Sequence, residues 1–312
     1  MKRYVIGADV GGSHISCALF DLNTMRIVED VRSELDINNK AEADVIISQW
    51  AEALNKILAT IDKTELKGVA FAMPGPFKYA EGIAMFDEQV AKFEKLFGIN
   101  VGNEIAKKLA LDSSIPVRFI NDAVAFAVGE SWVGVGKDTN KNVAFTLGTG
   151  FGSAFINSGL PVVEGKGVSK HGCVWHLPFQ DSIADDYFST RWFQLRWKEL
   201  TGEAIKGAKC VVDRLDHNPM AQQLFNEYGV NMAKFIGPWL REYDAETLIL
   251  GGNISRAYVH FQLSFEQSLK DQGVNTKVAI STLKEDAAII GCCRLLDEIF
   301  YQQVKVVLPL IL

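Results

Sequence analysis

The sequence predicts an α/β protein of two related domains, each with a mixed sheet flanked by helices, and with a cleft between the domains. The first observation is an apolar strand, a glycine-rich turn and a second apolar strand at residues 5–21, VIGADVGGSHISCALFD. The second is the return of that pattern at residues 143–157, VAFTLGTGFGSAFIN. Segments with helical and strand periodicity follow in each half, which is typical of paired α/β domains.

The first half contains the elements of one such domain. The segment 41–62 has helical spacing, because Ile46, Trp50, Leu54 and Ile57 fall on one face. The other predicted elements of this half are strands at 3–10 and 14–21, a buried strand at 66–76 that ends at Pro–Gly–Pro, a helix near 100–111, a strand at 117–122 and a helix that runs to Gly134.

The second half repeats this mixture after a polar stretch at 137–142. Its further predicted elements are helices near 182–200 and 219–243, a strand at 246–252, a helix after Asn253, a strand at 277–281 and a last helix from about Glu285. We expect that last helix to pack on the first domain. The predicted N-terminal domain is therefore 1–121, closed by the C-terminal segment at about 285–312, and the predicted C-terminal domain is 122–284.

The composition narrows the class of protein. The 312 residues are 48% hydrophobic and 22% charged, the net charge is −6, and no basic cluster stands out. Nucleic-acid partners are not expected, because neutralising phosphates requires grouped lysine and arginine. No signal peptide or membrane-spanning run is visible, so membrane partners are not expected either. The five cysteines form no legible disulfide framework, and we expect reduced thiols in a cytoplasmic protein.

The glycine-rich turns raise the question of phosphate binding. GTGFG at 148–152 has the glycine spacing of a dinucleotide fingerprint, but a strand follows where that fingerprint requires a helix. No Gly-Lys-Ser or Gly-Lys-Thr occurs, so a Walker-type loop is excluded. A tight hairpin whose backbone N–H groups point outward remains, and such groups can bind an anion. One hairpin of this kind is typical of an ordinary turn, whereas one at the start of each half favours a pair of phosphate loops.

Five motifs in order along the chain make the sequence resemble the ROK sugar kinases of the actin-like ATPase superfamily. They are DVGGS (9–13), similar to the first phosphate loop; INDAVAFAVGE (120–130), similar to the segment with the catalytic aspartate; LGTGFGS (147–153), similar to the second phosphate loop; LILGGNIS (248–255), similar to the adenosine loop; and EDAAIIGCCRLL (285–296), similar to the closing helix. The resemblance covers most of the chain. It implies two actin-like, ribonuclease H-like domains and a glucokinase-like, ATP-dependent phosphorylation of a hexose or hexose derivative.

Two aspartates carry the predicted chemistry. Asp122 follows a buried strand, and a carboxylate there is suited to accept the sugar proton as the new bond forms. The alternative is a structural role, since aspartate is a favoured N-cap for the helix that begins there; the resemblance favours the catalytic role. Asp9 is predicted to bind Mg²⁺ with ATP, directly or through water. Its alternative is an aspartate that stabilises the turn.

The resemblance also implies the binding residues. Those predicted to bind ATP are Asp9, Gly11, Gly12, Ser13, Gly148, Thr149, Gly150, Gly251, Gly252 and Asn253. Those predicted to bind the sugar are Asn121, Asp122, Pro74, Gly75, His176 and Asp185. The expected cofactors are therefore ATP and Mg²⁺, and the expected partners are small molecules. A homodimer is implied as well, because members of the family are commonly dimers.

The segment 172–189, GCVWHLPFQDSIADDYFS, departs from the family pattern. His176 matches the family histidine and Asp185 falls where a second glutamate is usual, but Cys173 replaces the first glutamate and the cysteine-rich zinc loop is absent. Structural zinc is therefore not expected, although His171, Cys173 and His176 leave some metal binding open. A cysteine cannot accept two strong hydrogen bonds as a carboxylate does, so the sugar need not be glucose.

Two further positions differ from common members of the family. Residues 81–100 lack the Asn-Leu-Pro-x-Trp pattern with which many members contact the sugar. We expect Phe93 and Phe97 to be core residues, and stacking on the sugar is the alternative. His14 stands where many members have lysine or asparagine. We expect its side chain to pack beside the hairpin, and contact with the phosphates is the alternative.

Other functions compete with the kinase. A catalytically weak sugar-binding sensor of the same fold is compatible with Cys173, but the retained Asp122 argues against it. A DNA-binding repressor is not expected, because only eight residues precede Asp9. An actin-like ATPase or chaperone is disfavoured by the chain length and by the pair Asn121 and Asp122, which suits a hydroxyl acceptor better than water.

Overall fold

The computed structural model describes residues 2–87 and 92–311, and the chain divides into two compact units. The first unit comprises Met1–Val133 and Glu285–Leu312, and the second comprises Gly134–Lys284. The predicted domain boundary after Asn121 lies one helix earlier than the unit boundary, because that helix packs on the C-terminal segment of the first unit. The domain boundary itself stays a prediction.

The first unit is built on a five-stranded mixed sheet. Its elements before the second unit are β1 (Tyr4–Val10), β2 (His14–Asp21), β3 (Arg26–Asp36), α1 (Ala43–Leu58), β4 (Leu66–Met73), β5 (Phe77–Lys78), β6 (Ile83–Ala84), α2 (Val101–Lys108), β7 (Val117–Asn121) and α3 (Asp122–Trp132). The strand order is β3-β2-β1-β4-β7, with β1, β4 and β7 parallel and β2 antiparallel to both of its neighbours. The central strands β1 and β4 are nearly continuous apolar runs, as expected for strands buried on both faces.

The second unit repeats this plan on its own five-stranded mixed sheet. Its elements are β8 (Lys141–Leu147), β9 (Phe151–Asn157), β10 (Leu160–Val162), β11 (Pro178–Phe179), β12 (Ser182–Ile183), α4 (Ala184–Phe188), α5 (Thr190–Thr201), α6 (Ala208–Val212), α7 (Pro219–Tyr243), β13 (Thr247–Gly251), α8 (Tyr258–Asp271) and β14 (Lys277–Ile280). The strand order is β10-β9-β8-β13-β14, with β8, β13 and β14 parallel and β9 antiparallel to both of its neighbours. Phe145, Phe155, Trp197 and Tyr228 are among the fully buried side chains of its core.

The chain ends in the first unit with α9 (Asp286–Cys293) and α10 (Glu298–Val304). The first of these helices packs on α3 and on the central strands β1 and β4. Short 3₁₀ helices connect the larger elements at Lys63–Glu65, Glu94–Leu96, Lys170–Gly172, Asn253–Ala257, Arg294–Leu296 and Leu308–Leu310. The α/β prediction, with mixed sheets flanked by helices, is confirmed.

Local chemistry explains where elements begin and end. The helix predicted at 219–243 has those bounds, because Asn218 caps its first turn, Pro219 has a ring suited to the first helical position, and Asp244 adopts a left-handed conformation. The prediction of a single helix at 182–200 was wrong in one respect. The extended backbone of Ser189 divides it into α4 and α5.

Some elements are absent from the sequence prediction. β3 is an edge strand whose side chains are mostly exposed or half-buried, so its polar sequence gives little strand signal. Phe93 is fully buried as expected, but Phe97 is 56% exposed and is not a core residue.

Within the described ranges, no helix combines the length and hydropathy needed to cross a membrane. All five cysteines are outside disulfide bonds.

Candidate active site

Three parallel strands of the first unit end at one edge of its sheet. Asp9 lies near the end of β1, Pro74 and Gly75 directly follow β4, and Asn121 ends β7. Strand β4 is hydrogen-bonded to both of the other two strands. The structure therefore brings these predicted site residues together at the carboxyl ends of the strands, where ligands bind in open α/β sheets.

The first glycine loop, residues 11–13, is the tight turn between β1 and β2. The N–H of Gly11 donates to the carbonyl oxygen of His14 at 2.9 Å, which closes the turn. The side-chain amide of Asn39 donates to the carbonyl oxygen of Gly12. Ser13 and His14 are exposed, and the imidazole lies beside the loop, where a Cβ atom on Gly11 would be 2.9 Å from its Cε1. The loop is thus fixed from one side and open to solvent on the other.

Asp122 is the first residue of α3 and is partly buried. The N-cap is Asn121, whose Oδ1 accepts a hydrogen bond from the N–H of Val124 at 3.1 Å. The capping role that competed with catalysis for Asp122 therefore belongs to its neighbour. Burial raises the pKa of Asp122, whereas the hydrogen bond from the N–H of Ala123 and the charge of Lys92 act in the opposite direction. A carboxyl group with a perturbed pKa at this edge is a candidate general base.

Asp9 shares its surroundings with other acidic groups. Burial, together with the charges of Asp122 and Glu285, raises the pKa of Asp9 to about 7. A divalent cation would relieve this repulsion, and carboxylate oxygen is a ligand that suits Mg²⁺. Among residues 2–87 and 92–311, no group of three His, Cys, Asp or Glu side chains is placed to hold a metal. Mg²⁺ at Asp9 would therefore need nucleotide oxygens and water as its remaining ligands.

Asn121 also links two elements of the first unit. Its Nδ2 donates to the hydroxyl oxygen of Tyr79 at 3.2 Å, and the Tyr79 hydroxyl donates to the carbonyl oxygen of Met73 at 3.2 Å. Tyr79 is fully buried. The amide therefore caps α3 and ties it to the end of β4, which orients the adjacent Asp122. Its predicted contact with the sugar stays a prediction.

The second glycine loop, residues 148–150, is the turn between β8 and β9. The N–H of Gly148 donates to the carbonyl oxygen of Gly150 at 3.0 Å, and the carbonyl oxygen of Gly148 accepts from both the N–H and the Oγ1 of Thr190 at 2.8 Å. The N–H of Phe151 donates to Oδ1 of Asp185 at 2.7 Å. A Cβ atom on Gly148 would meet nothing within 4 Å, so this side of the loop faces open space.

The predicted adenosine loop lies at the same end of the second sheet. Gly251 ends β13 and pairs with Thr146 of β8. Gly252 has φ of +80°, and a Cβ atom there would be 2.5 Å from the carbonyl oxygen of Leu147. Only glycine fits this close approach with a left-handed backbone. Asn253 follows, so the structure brings the predicted adenosine loop next to the second glycine loop.

Asp185 supports the second glycine loop, a role that the sequence does not indicate. Besides the bond from Phe151, its Oδ2 pairs with Arg191 at 2.8 Å, and the same guanidinium holds Asp186 at 2.7 Å. Both oxygens of Asp185 therefore have protein partners. Its predicted contact with the sugar stays a prediction.

The segment around His176 lies beside α4, since the N–H of Asp185 donates to the carbonyl oxygen of Trp175 at 2.9 Å. The Sγ of Cys173 lies 3.7 Å from Nδ1 of His176. Burial raises the pKa of Cys173 to about 11, while burial and the neighbouring His171 lower the pKa of His176. Both side chains are therefore neutral near pH 7. In the described part of the chain, these residues do not form a metal-binding group.

Each unit thus presents a glycine hairpin at the end of a mixed α/β sheet. The chain belongs to the ROK family, whose family model matches residues 5–299. The resemblance of the sequence to that family is confirmed.

Several known proteins are similar to this chain. The glucokinase of Thermotoga maritima is 26% identical over 330 residues, which cover 95% of this chain and 98% of that protein. A ROK family glucokinase from Streptomyces griseus, solved in complex with glucose and AMPPNP, has a TM-score of 0.73 at 19% identity, covering 94% of this chain and 98% of that one. A ROK family transcriptional regulator, a homologue of the E. coli MLC protein, has a TM-score of 0.79 at 17% identity, covering 99% and 81%. The fold is therefore shared by enzymes and regulators.

Proposed function

We propose that this chain is an ATP-dependent sugar kinase that transfers the γ-phosphate of ATP to a hydroxyl group of a hexose or hexose derivative. The observation that carries the proposal is the position of Asp122. It begins α3 at the carboxyl edge of the first sheet, where Asp9 interacts with it, and Asn121 performs the helix capping in its place. Membership of the ROK family and the similarity to a glucokinase support the proposal.

In the proposed reaction, Asp122 accepts the proton of the sugar hydroxyl. The hydroxyl oxygen forms a bond to the γ-phosphorus, and the bond between that phosphorus and the ADP oxygen breaks. The N–H groups of Gly12, Ser13, Thr149 and Gly150 bind phosphate oxygens, since those of Gly11 and Gly148 close their own turns, and residues 251–253 bind the adenosine. Asp9 would hold Mg²⁺, which would neutralise phosphate charge.

The sugar-binding residues in this proposal are Pro74, Gly75, Asn121, Asp122 and His176, whereas Asp185 supports the second glycine loop. Because a neutral thiol at Cys173 replaces a carboxylate beside His176, the acceptor is not restricted to glucose. We further propose a cytoplasmic homodimer, as the family resemblance implies.

The test is a coupled assay of ADP release with a panel of hexoses, amino sugars and N-acetylated sugars. We expect one sugar to raise ADP release in the presence of Mg²⁺. Asp122→Asn is expected to lower kcat by about 10²–10⁴-fold, the range for loss of a general base. The matched control is Asp112→Asn, a loop aspartate of the same unit that lies outside the site, which should leave kcat unchanged.

A sugar-binding sensor without useful catalysis is the second candidate. The regulator of the same fold and the altered residue Cys173 favour it. It would be preferred if calorimetry detects a bound sugar while no sugar in the panel raises ADP release above background.

A further inference from the structure

Lys92 lies beside the first glycine loop and its charge acts on the candidate base, although no motif of the sequence includes it. A Cβ atom on Gly12 would be 3.8 Å from Cδ of Lys92. The side chain is half-buried, and its charge acts on Asp122. These two observations concern different parts of the same lysine. The Cδ atom of its aliphatic part lies beside Gly12, and its ammonium charge acts on the carboxylate.

The backbone around Lys92 is anchored to the loop that it accompanies. The N–H of Phe93 donates to the carbonyl oxygen of Asn39 at 2.9 Å, and the side chain of Asn39 donates to the carbonyl oxygen of Gly12. Phe93 is fully buried and packs edge-on against Trp50 with ring centroids 5.4 Å apart. Asn39 therefore joins the loop to the Lys92 segment, and the buried ring fixes that segment in place.

The charges at this edge need a cation. Asp122 and Glu285 both act on Asp9 there, and the phosphates of a nucleotide would add further negative charge. An ammonium group placed beside a phosphate-binding loop acts as a point charge that attracts a phosphoryl group. It also reduces the repulsion between that group and the carboxylate that must approach it.

We propose that Lys92 is a phosphate-binding residue of this site, whose ammonium group contacts the terminal phosphoryl group of the nucleotide beside Asp122. This inference rests on the proposed kinase function, because it gives the lysine a role in the same transfer. The lysine assists by charge alone, so no proton or bond is exchanged with it.

The test compares Lys92→Met with Lys92→Arg, and uses Lys95→Met as the matched control. Lys95 is an exposed lysine three residues further along the same segment. Each variant is titrated calorimetrically with AMPPNP plus Mg²⁺ and, separately, with AMP. We expect Lys92→Met to weaken AMPPNP binding at least 10-fold and to leave AMP binding unchanged, since AMP lacks the terminal phosphates.

The same variants are then assayed with the active sugar. The kcat of Lys92→Met should fall by about 100-fold, and its sugar KM should change by less than about threefold. Lys92→Arg should retain most of the AMPPNP affinity and most of the kcat of wild type, because arginine keeps the positive charge.

The binding and kinetic results separate this inference from the proposed function. In one outcome, wild type binds AMPPNP but phosphorylates no sugar, while Lys92→Met binds AMPPNP more weakly than wild type. In that case the kinase proposal fails and the phosphate-binding role stands. If Lys92→Met binds AMPPNP within twofold of wild type, the inference is overturned whatever the activity. It is also overturned if Lys95→Met loses as much affinity, or if wild type does not bind AMPPNP. Should Lys92→Met not fold, Lys92→Gln replaces it in the same comparison.

Discussion

Gly129 on α3 and Gly291 on α9 let the backbones of the two helices touch. A Cβ atom on Gly291 would be 1.8 Å from the carbonyl oxygen of Ala125, and one on Gly129 would be 2.1 Å from the carbonyl oxygen of Ala287. The contact locks the helix that begins with Asp122 onto the C-terminal part of the first unit. The orientation of the candidate base therefore depends on this crossing.

Replacing Gly291 by alanine should destabilise the protein despite the better helix propensity of alanine. Alanine gains up to about 1 kcal/mol in an exposed helix, but here its methyl group must displace a backbone carbonyl, and overpacking costs about 1–3 kcal/mol or more. We expect a net loss in the free energy of unfolding, measured by urea denaturation. Gln302→Ala, on the exposed face of α10, is the control and should change stability by less than about 0.5 kcal/mol. A Gly291→Ala variant as stable as wild type would contradict the close crossing.

The raised pKa of Asp9 predicts that the free energy of unfolding decreases as the pH rises. Its pKa of about 7 in the folded state lies above the ordinary value of 3.8, so between these values the folded protein binds a proton that the unfolded chain does not. Stability from this group is therefore present at pH 5 and is lost as the pH rises through 7. Asp9→Asn should be more stable than wild type at pH 8. At pH 5 the difference in free energy of unfolding between the two proteins should be smaller by on the order of 2 kcal/mol. Urea denaturation in EDTA at both pH values measures the difference.

Asp21 provides a control of opposite sign for that experiment. Its hydrogen bond with Arg3 lowers the pKa of Asp21 to about 2, so the charged form is favoured in the folded state. Its contribution is present above the unfolded pKa and is lost only as the pH falls towards 2. Asp21→Asn should therefore destabilise the protein about equally at pH 5 and pH 8. If the effect of Asp9→Asn is likewise independent of pH over this range, the raised pKa of Asp9 is wrong.

Sequence patterns predicted the features that depend on local chemistry. The two glycine hairpins, the apolar strands β1 and β8 and the bounds of α7 each follow from residues close together in the chain. β3 escaped prediction because an edge strand with charged, exposed side chains lacks the apolar alternation that marks a half-buried strand.

The supporting contacts of the site could not be read from the sequence. Tyr79 meets Asn121 from 42 positions away, and Asn39 meets Gly12 from 27 positions away. Lys92 belongs to no recognised motif. Such contacts arise from the tertiary arrangement of loops, and a single sequence carries no periodicity or spacing that reports them.

Asp185 and Asp186 offer a test of loop support against sugar contact. Both pair with Arg191, but only Asp185 also accepts the N–H of Phe151 at the second glycine loop. Asp185→Ala leaves that N–H without its charged acceptor, a loss of about 1.5–3 kcal/mol. We expect the KM for ATP to rise at least 10-fold, while Asp186→Ala changes it by less than about threefold. Steady-state kinetics with each substrate varied separately gives both constants. A rise confined to the sugar KM would instead assign Asp185 to the sugar.

Gly252 and Gly273 both have positive φ angles, +80° and +70°, but differ in what an added methyl group would meet. Alanine is strained at both positions, and more so at Gly252, whose ψ of 174° lies in a region essentially restricted to glycine. At Gly252 the added methyl group would also be 2.5 Å from the carbonyl oxygen of Leu147, whereas at Gly273 nothing lies within 4 Å. Gly252→Ala must therefore move β13 away from the end of β8, which carries the second glycine loop. We expect it to lose more stability than Gly273→Ala and to weaken AMPPNP binding at least 10-fold, while Gly273→Ala binds as wild type does. Urea denaturation and calorimetry measure the two effects, and a Gly252→Ala variant that binds AMPPNP as wild type does would contradict a displacement of β13 from the end of β8.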